Sequence, residues 1–165
     1  TRSLSSAASD VYKRQYMQLL KEKWMGQTEH SMHLHLLQKY RRKKMNEVIN
    51  NIKNEISEND VVLYMKGTSS MPQCGFSSRV AGVLNYLEVV YKDVNVLENE
   101  DLREGIKSFS EWPTIPQLYI KGEFVGGCDI ITEMAMTGEL DELFKKNKIS
   151  YSSEAATKIR EANKD

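Results

Sequence analysis

Apolar positions recur along the chain with a period that switches between helical and extended. Val48, Ile49, Ile52 and Ile56 are one, three and four residues apart, so 46–57 reads as an amphipathic helix ended by Asn59-Asp60. The run VVLYMK at 61–66 is short, apolar and rich in β-branched and aromatic residues, which predicts a buried strand. GTSSMPQ at 67–73 is a loop. Phe76, Val80, Val83, Leu84 and Leu87 then restore the helical period over 74–87, and VVYKDVNV at 89–96 predicts a second strand. Residues 99–110 open on Asn-Glu-Asp, acids suited to a helix N-terminus, and carry Leu102, Ile106 and Phe109. QLYIKGEFVGG reads as a hairpin turning at Lys121-Gly122. A helix over 129–146 is interrupted at Gly138, and the Ser/Ala/charged stretch 150–165 is expected to fray or pack weakly. Upstream, Met17, Leu19, Leu20 and Trp24 can share a broad helical face.

The order α-β-α-β-α-ββ-α implies a class. A helix joins the first two strands, so they should be parallel with a right-handed crossover. The hairpin adds antiparallel strands. The expected fold is α/β, a four-stranded mixed sheet flanked by helices on both faces.

Composition refines this picture. Of 165 residues, 40% are apolar and 28% charged, enough for a packed core. No apolar run approaches the roughly 18 residues of a membrane-spanning helix. Lys+Arg and Asp+Glu both total 23, which excludes a globally basic nucleic-acid binder. The balance is uneven: residues 1–45 hold 10 basic against 3 acidic residues (+7), and residues 46–165 hold 13 against 20 (−7). The expected organisation is a basic extension over 1–45, a compact domain over 46–148 and a polar tail over 149–165. The opening stretch begins at Thr1 rather than Met, lacks periodicity and is expected to be a linker or leader outside the fold. The basic excess over 16–45 resembles an organellar transit segment, a solvated, poorly ordered extension being the alternative. His30, His33 and His35 lack a carboxylate or Cys to complete a metal set, so a solvated face is the reading. Arg41-Arg42-Lys43-Lys44 reads as the domain edge rather than a nucleic-acid patch. Two cysteines, Cys74 and Cys128, exclude a disulfide-dense scaffold and point to a reducing compartment; spacing leaves a 74–128 disulfide open.

Candidate chemistry centres on Cys74. It follows a strand and loop and opens a helix, where free N–H groups and the helix dipole favour thiolate. Lys66 can add positive charge, Gly75 keeps the first turn open, and Phe76 gives an apolar cover. Ser77 stands where a C-x-x-C motif has its second thiol, so Cys74 cannot complete a local dithiol cycle. In WPTIPQ at 112–117, Pro116 opens a strand, and a cis bond there can turn the Ile115 backbone outward to pair with an extended peptide. In GGCD at 126–129, two glycines permit close approach, and Cys128-Asp129 start a helix whose N–H groups can hold a carboxylate. Asp129 can also simply cap that helix. Cys128 reads as packing, with a redox partnership with Cys74 as the sharper alternative.

VVLYMKGTSSMPQCGFSSRV and LREGIKSFSEWPTIPQLYIKGEFVGGCDI, at this spacing, resemble the monothiol glutaredoxins of the CGFS type over about residues 46–148. The single-domain form with a basic leader is similar to the mitochondrial members. The resemblance implies a thioredoxin fold, glutathione binding and a 2Fe–2S cluster shared between two chains. Such a cluster takes four ligands, typically thiolates; two chains and two glutathiones supply them. By the resemblance, Cys74 is the cluster ligand and reactive thiol, within a motif that includes Gly75 and Phe76. Lys66 and Arg103 would bind a glutathione carboxylate, with Lys107 as a further candidate. Ile115, before Pro116, would clamp the glutathione cysteine, and Cys128 and Asp129 would hold the γ-glutamyl end. The implied function is cluster delivery to iron–sulfur acceptor proteins, with a BolA-like protein able to replace one chain of the homodimer. The alternative is a glutathione-dependent thiol–disulfide oxidoreductase. No nucleic acid or membrane partner is implied. The implied location is the mitochondrial matrix, the cytosol being the alternative.

Overall fold

The computed structural model describes residues 14, 15, 17, 18 and 29–162. The helical face expected at Leu19, Leu20 and Trp24 lies outside these residues, as does the linker over 1–13 and the side chain of His30. The chain divides into two compact units between Glu47 and Val48.

In the first unit, His33 and His35 are exposed. Among the described residues, no three His, Cys, Asp or Glu side chains are placed to hold a metal ion. No helix among them is long and apolar enough to cross a membrane. The expected helix over 46–57 is the end of a longer one, α1 (Glu29–Glu58). No Gly or Pro interrupts that stretch, so nothing stops it earlier. Asn59 closes it by donating its Nδ2 to the Glu55 carbonyl at 2.8 Å.

The second unit continues with β1 (Val61–Met65), α2 (Gly75–Tyr86), β2 (Lys92–Asn95), α3 (Glu100–Ser110), β3 (Gln117–Ile120) and β4 (Glu123–Gly126). It ends in α4 (Cys128–Thr137), α5 (Glu139–Lys146) and α6 (Ser153–Ala162). The sheet runs β2-β1-β3-β4. β1 pairs parallel with β2 (Tyr64 opposite Val94) and antiparallel with β3 (Leu63 opposite Leu118). The β3–β4 hairpin turns on Lys121 (φ +50°) and Gly122 (φ +83°), both left-handed, the geometry that twists a two-residue hairpin correctly. This is the mixed sheet the residue pattern predicts.

All five residues of β1 are buried because strand neighbours flank it and helices cover both faces. Its side chains alternate between two cores. Val61, Leu63 and Met65 face Val80 and Leu84 of α2, Ile131 of α4 and Phe144 of α5. Val62 and Tyr64 face Ile52 and Ile56 of α1, Ile106 of α3 and Tyr119.

Two expectations need correction. β2 is shorter than 89–96 and only partly buried, because it is the sheet edge; Val90 is 87% exposed. The stretch expected to fray forms α6 instead, with Ala156 buried against α4's side of the core. Tyr151 and Ile159 pack beside it, and an ion pair adds to that packing. Asp141, at the start of α5, is 4% exposed and pairs with Arg160 of α6. The helix break at Gly138 (φ +92°) falls where the sequence places it, and leaves that glycine against the Arg160 side chain.

Removing one partner of a buried pair strands the other charge. Arg160→Ala should therefore cost about 1–3 kcal/mol of folding stability, read from urea unfolding. An unchanged midpoint would show that α6 is not held by this pair.

Candidate functional site

Cys74 is the N-cap residue of α2, with extended backbone (φ −156°, ψ 136°). It is half-buried, and its carbonyl accepts the Ser78 N–H at 2.8 Å. No acidic residue occupies the first turn. The sulfur makes no aligned capping bond of the kind a Ser or Asp oxygen makes. The helix N–H groups act on it instead as a loose positive cradle. The thiol is held below its ordinary range, first by the Ser77 N–H, then by the Phe76 N–H, the Lys66 charge and the Ser77 hydroxyl, with burial opposing. The activation expected from helix position and Lys66 is therefore present.

Ser77 is fully buried, and its hydroxyl accepts the Lys66 N–H at 3.1 Å. The place of a second thiol is filled by a hydroxyl bonded to the end of β1. The Lys66 carbonyl accepts the Gln73 N–H at 2.9 Å, closing the neck of the 67–73 loop.

A cavity of about 410 Å³ opens beside Cys74. Lys66 reaches it from the end of β1, Phe76 from α2, and Arg103 and Lys107 from α3. Ile115 and Pro116 border it between α3 and β3, and Cys128 and Asp129 from the start of α4. The fold thus gathers the residues singled out in the sequence, Gly75 excepted. A Cβ at Gly75 would meet nothing, so the helix turn, not the cavity, is its setting. Lys107 is half-neutralised by Glu104 at 2.8 Å, which leaves Lys66 and Arg103 as the freer cations. Arg103 meets Glu100 only at 3.6 Å, and its Nε is buried with no hydrogen-bond partner.

The N-cap of α4 is Gly127, with no side-chain cap, leaving the first N–H groups for a ligand. The glycine pair has a packing reason. A Cβ at Gly126 would collide with Ile130, and one at Gly127 would press on the Trp112 indole at 3.1 Å. The Ile115–Pro116 bond is cis. Gln117, fully buried, donates its Nε2 to the carbonyls of Trp112 (3.0 Å) and Thr114 (3.1 Å), fixing this connection to β3. Cys128 is 7% exposed and packs in the α2/α4 core, the packing role expected of it.

Sequence reasoning missed Trp112 and Ile130 as wall residues. It weighed Ile115 and Pro116 of WPTIPQ and passed over the indole, whose neighbour Gly127 is fifteen residues away in the chain. It also missed Ser77 and Gln117 as internal ties. A buried polar role leaves no periodic trace.

Comparison with known proteins bears on the assignment. The Glutaredoxin family model matches residues 61–125. The chain is 56% identical over 94 residues to a probable monothiol glutaredoxin 2 of Rickettsia felis, covering 57% of this chain and 90% of that protein. It is 46% identical over 127 residues to the mitochondrial monothiol glutaredoxin-5 of Schizosaccharomyces pombe, covering 74% of this chain and 82% of that protein. Among solved structures, a truncated Trypanosoma brucei 1-C-Grx1 superposes with a TM-score of 0.59 at 41% identity, over 62% of this chain and 94% of that one. A buckwheat glutaredoxin–glutathione complex, 20% identical with a TM-score of 0.57 over 64% and 94%, shares the fold. Identity this high, over nine-tenths of a relative's length, is close kinship: the chain belongs to the monothiol glutaredoxins.

Proposed function

We propose that the cavity binds glutathione and that two copies of the chain hold a labile 2Fe–2S cluster between them for delivery to iron–sulfur acceptor proteins. The observation that carries this reading is one thiol of lowered pKa on a cavity lined also by cations and by an uncapped helix N-terminus. Glutathione is an extended tripeptide with a carboxylate at each end and a thiol between. Lys66 and Arg103 suit the glycine carboxylate. The N–H groups of Cys128 and Asp129 suit the γ-glutamyl carboxylate, and the Asp129 side chain its amine. The Ile115 backbone, also on the cavity, can pair with the ligand's peptide groups.

The donor inventory supports two chains. A 2Fe–2S cargo takes four ligands, and of the two cysteines on the cavity wall Cys74 is the part-exposed one while Cys128 is buried at 7% exposed. Two glutathione thiolates complete the set. A BolA-like protein replacing one chain and the acceptor proteins belong to the same proposal. A mitochondrial location also belongs to it, supported by relatives named as mitochondrial in two yeasts. A second reading, thiol–disulfide exchange with glutathionylated substrates, is favoured by the lowered pKa of Cys74.

Anaerobic reconstitution with iron, sulfide and glutathione should give a visible cluster spectrum on a species eluting as a dimer. Cys74→Ser should abolish the chromophore. A coloured Cys74→Ser protein would sink the cluster assignment, and a colourless wild type with rapid glutathione-dependent disulfide reduction would favour the second reading.

The thiolate is the alkylating form, and the fold depresses the thiol's pKa. Cys74 should therefore react with iodoacetamide at lower pH in the folded protein than in the urea-unfolded chain. By linkage this thiol adds stability that is complete above its unfolded pKa and is lost as pH falls through the folded one. Coincident alkylation profiles for the two states would contradict the helix-terminus argument.

A further inference from the structure

The 67–73 loop, which joins Lys66 to Cys74, is tied to the sheet edge by side chains the mechanism above does not use. Tyr91, Asp93 and Asn95 alternate along and just before β2, so they share one face of it. Tyr91 packs on the α2 side of the sheet, whereas Val94 packs on the other. Asn95 Oδ1 accepts two backbone N–H groups, from Gly67 at 2.9 Å and Leu97 at 3.1 Å. Its Nδ2 donates to Glu98 Oε1 at 3.0 Å. Asp93 Oδ2 accepts the Ser69 N–H at 2.6 Å. The Tyr91 hydroxyl donates to Asn85 Oδ1 near the end of α2.

The loop closes on itself only in part. Thr68 and Met71 exchange backbone bonds, and Gln73 N–H reaches Lys66. Gly67 takes a left-handed φ of +85°, and a Cβ there would collide with the Met71 carbonyl and the Gln73 nitrogen. This sharp turn follows directly on Lys66, so its placement sets where the Lys66 side chain leaves the sheet. The outer bonds from Asn95 and Asp93 hold the turn against β2.

We propose that Asn95 and Asp93 are positioning residues of the glutathione site: by anchoring Gly67 and Ser69 to the sheet edge they fix Lys66 and Cys74 in register with the cavity. The inference rests on the glutathione reading. Asp93 is held below the usual carboxylate range, chiefly by the Ser69 N–H, as a genuine acceptor should be. An edge strand is partly solvated, so its side chains are otherwise free to point into water. Here the loop-side ones are engaged in bonds.

The test compares three proteins by amide hydrogen exchange and glutathione titration, at temperatures well below unfolding. Asn95→Ala should lose exchange protection at Gly67 and Leu97 and bind glutathione about tenfold more weakly, the scale of one or two lost hydrogen bonds. Asn95→Asp combined with Glu98→Gln keeps the acceptor oxygen without setting two carboxylates together, and should retain protection and stay within about threefold of wild type. A role confined to stability would lower the melting midpoint of Asn95→Ala and leave its affinity intact, which overturns the proposal. Equal weakening in Asn95→Ala and in the Asn95→Asp/Glu98→Gln double variant overturns it too, since the acceptor would not matter. If Asn95→Ala does not fold, Asp93→Ala, which removes only the Ser69 anchor, carries the same affinity readout. Absence of binding in wild type would instead sink the glutathione reading itself.

Discussion

Everything at the site hangs on the last residue before the loop. Lys66 gives its backbone N–H to the Ser77 hydroxyl and its carbonyl to the Gln73 N–H. Both partners lie within three residues of Cys74. The reactive helix is therefore stitched to the strand that is buried on both faces and flanked by two others. A thiol at a helix terminus is only as well placed as that terminus. Here its placement derives from the most constrained part of the sheet.

Buried polar residues mark the other attachments. Ser77, Gln117 and Asp141 are the buried polar or charged residues among those described. Each adds a directional tie to a segment that hydrophobic packing also holds. Ser77 holds the Cys74 helix, Gln117 holds the Trp112–Pro116 connection, and Asp141 holds the C-terminal helix. Gln117 is itself steadied by the Tyr119 hydroxyl, which donates to its Oε1 at 3.0 Å. Burial pushes that phenol up to about 12, so it stays a donor at any physiological pH. A hydrogen bond buried this way is costly to leave unmade, which makes each tie specific as well as stabilising.

The sequence disclosed the parts whose chemistry has local grammar. Strand β1, the hairpin turn, the break at Gly138 and the gathering of Lys66, Cys74 and Asp129 around one cavity follow from periodicity, turn residues and motif spacing. What escaped notice depends on partners far along the chain. VVYKDVNV has strand composition, yet whether it lies at the edge is decided by the order of strands. The stretch after 150 has few large apolar residues, and its packing through Tyr151, Ala156 and Ile159 and its pairing of Arg160 with a carboxylate buried in α5 both depend on distant partners. Ser77 looked like a missing thiol; its hydroxyl proved to be a structural tie.

The meeting of Trp112 with Gly127 has a consequence for how such a site can diversify. The indole nitrogen lies 3.1 Å from where a side chain at 127 would begin, so the sizes of the two residues are linked. A side chain at 127 makes the indole give by a few tenths of an ångström, and a smaller residue at 112 opens a void. Lineages that depart from one should depart from both, and the two positions should drift as a pair, leaving a co-inherited signature that spans the cavity.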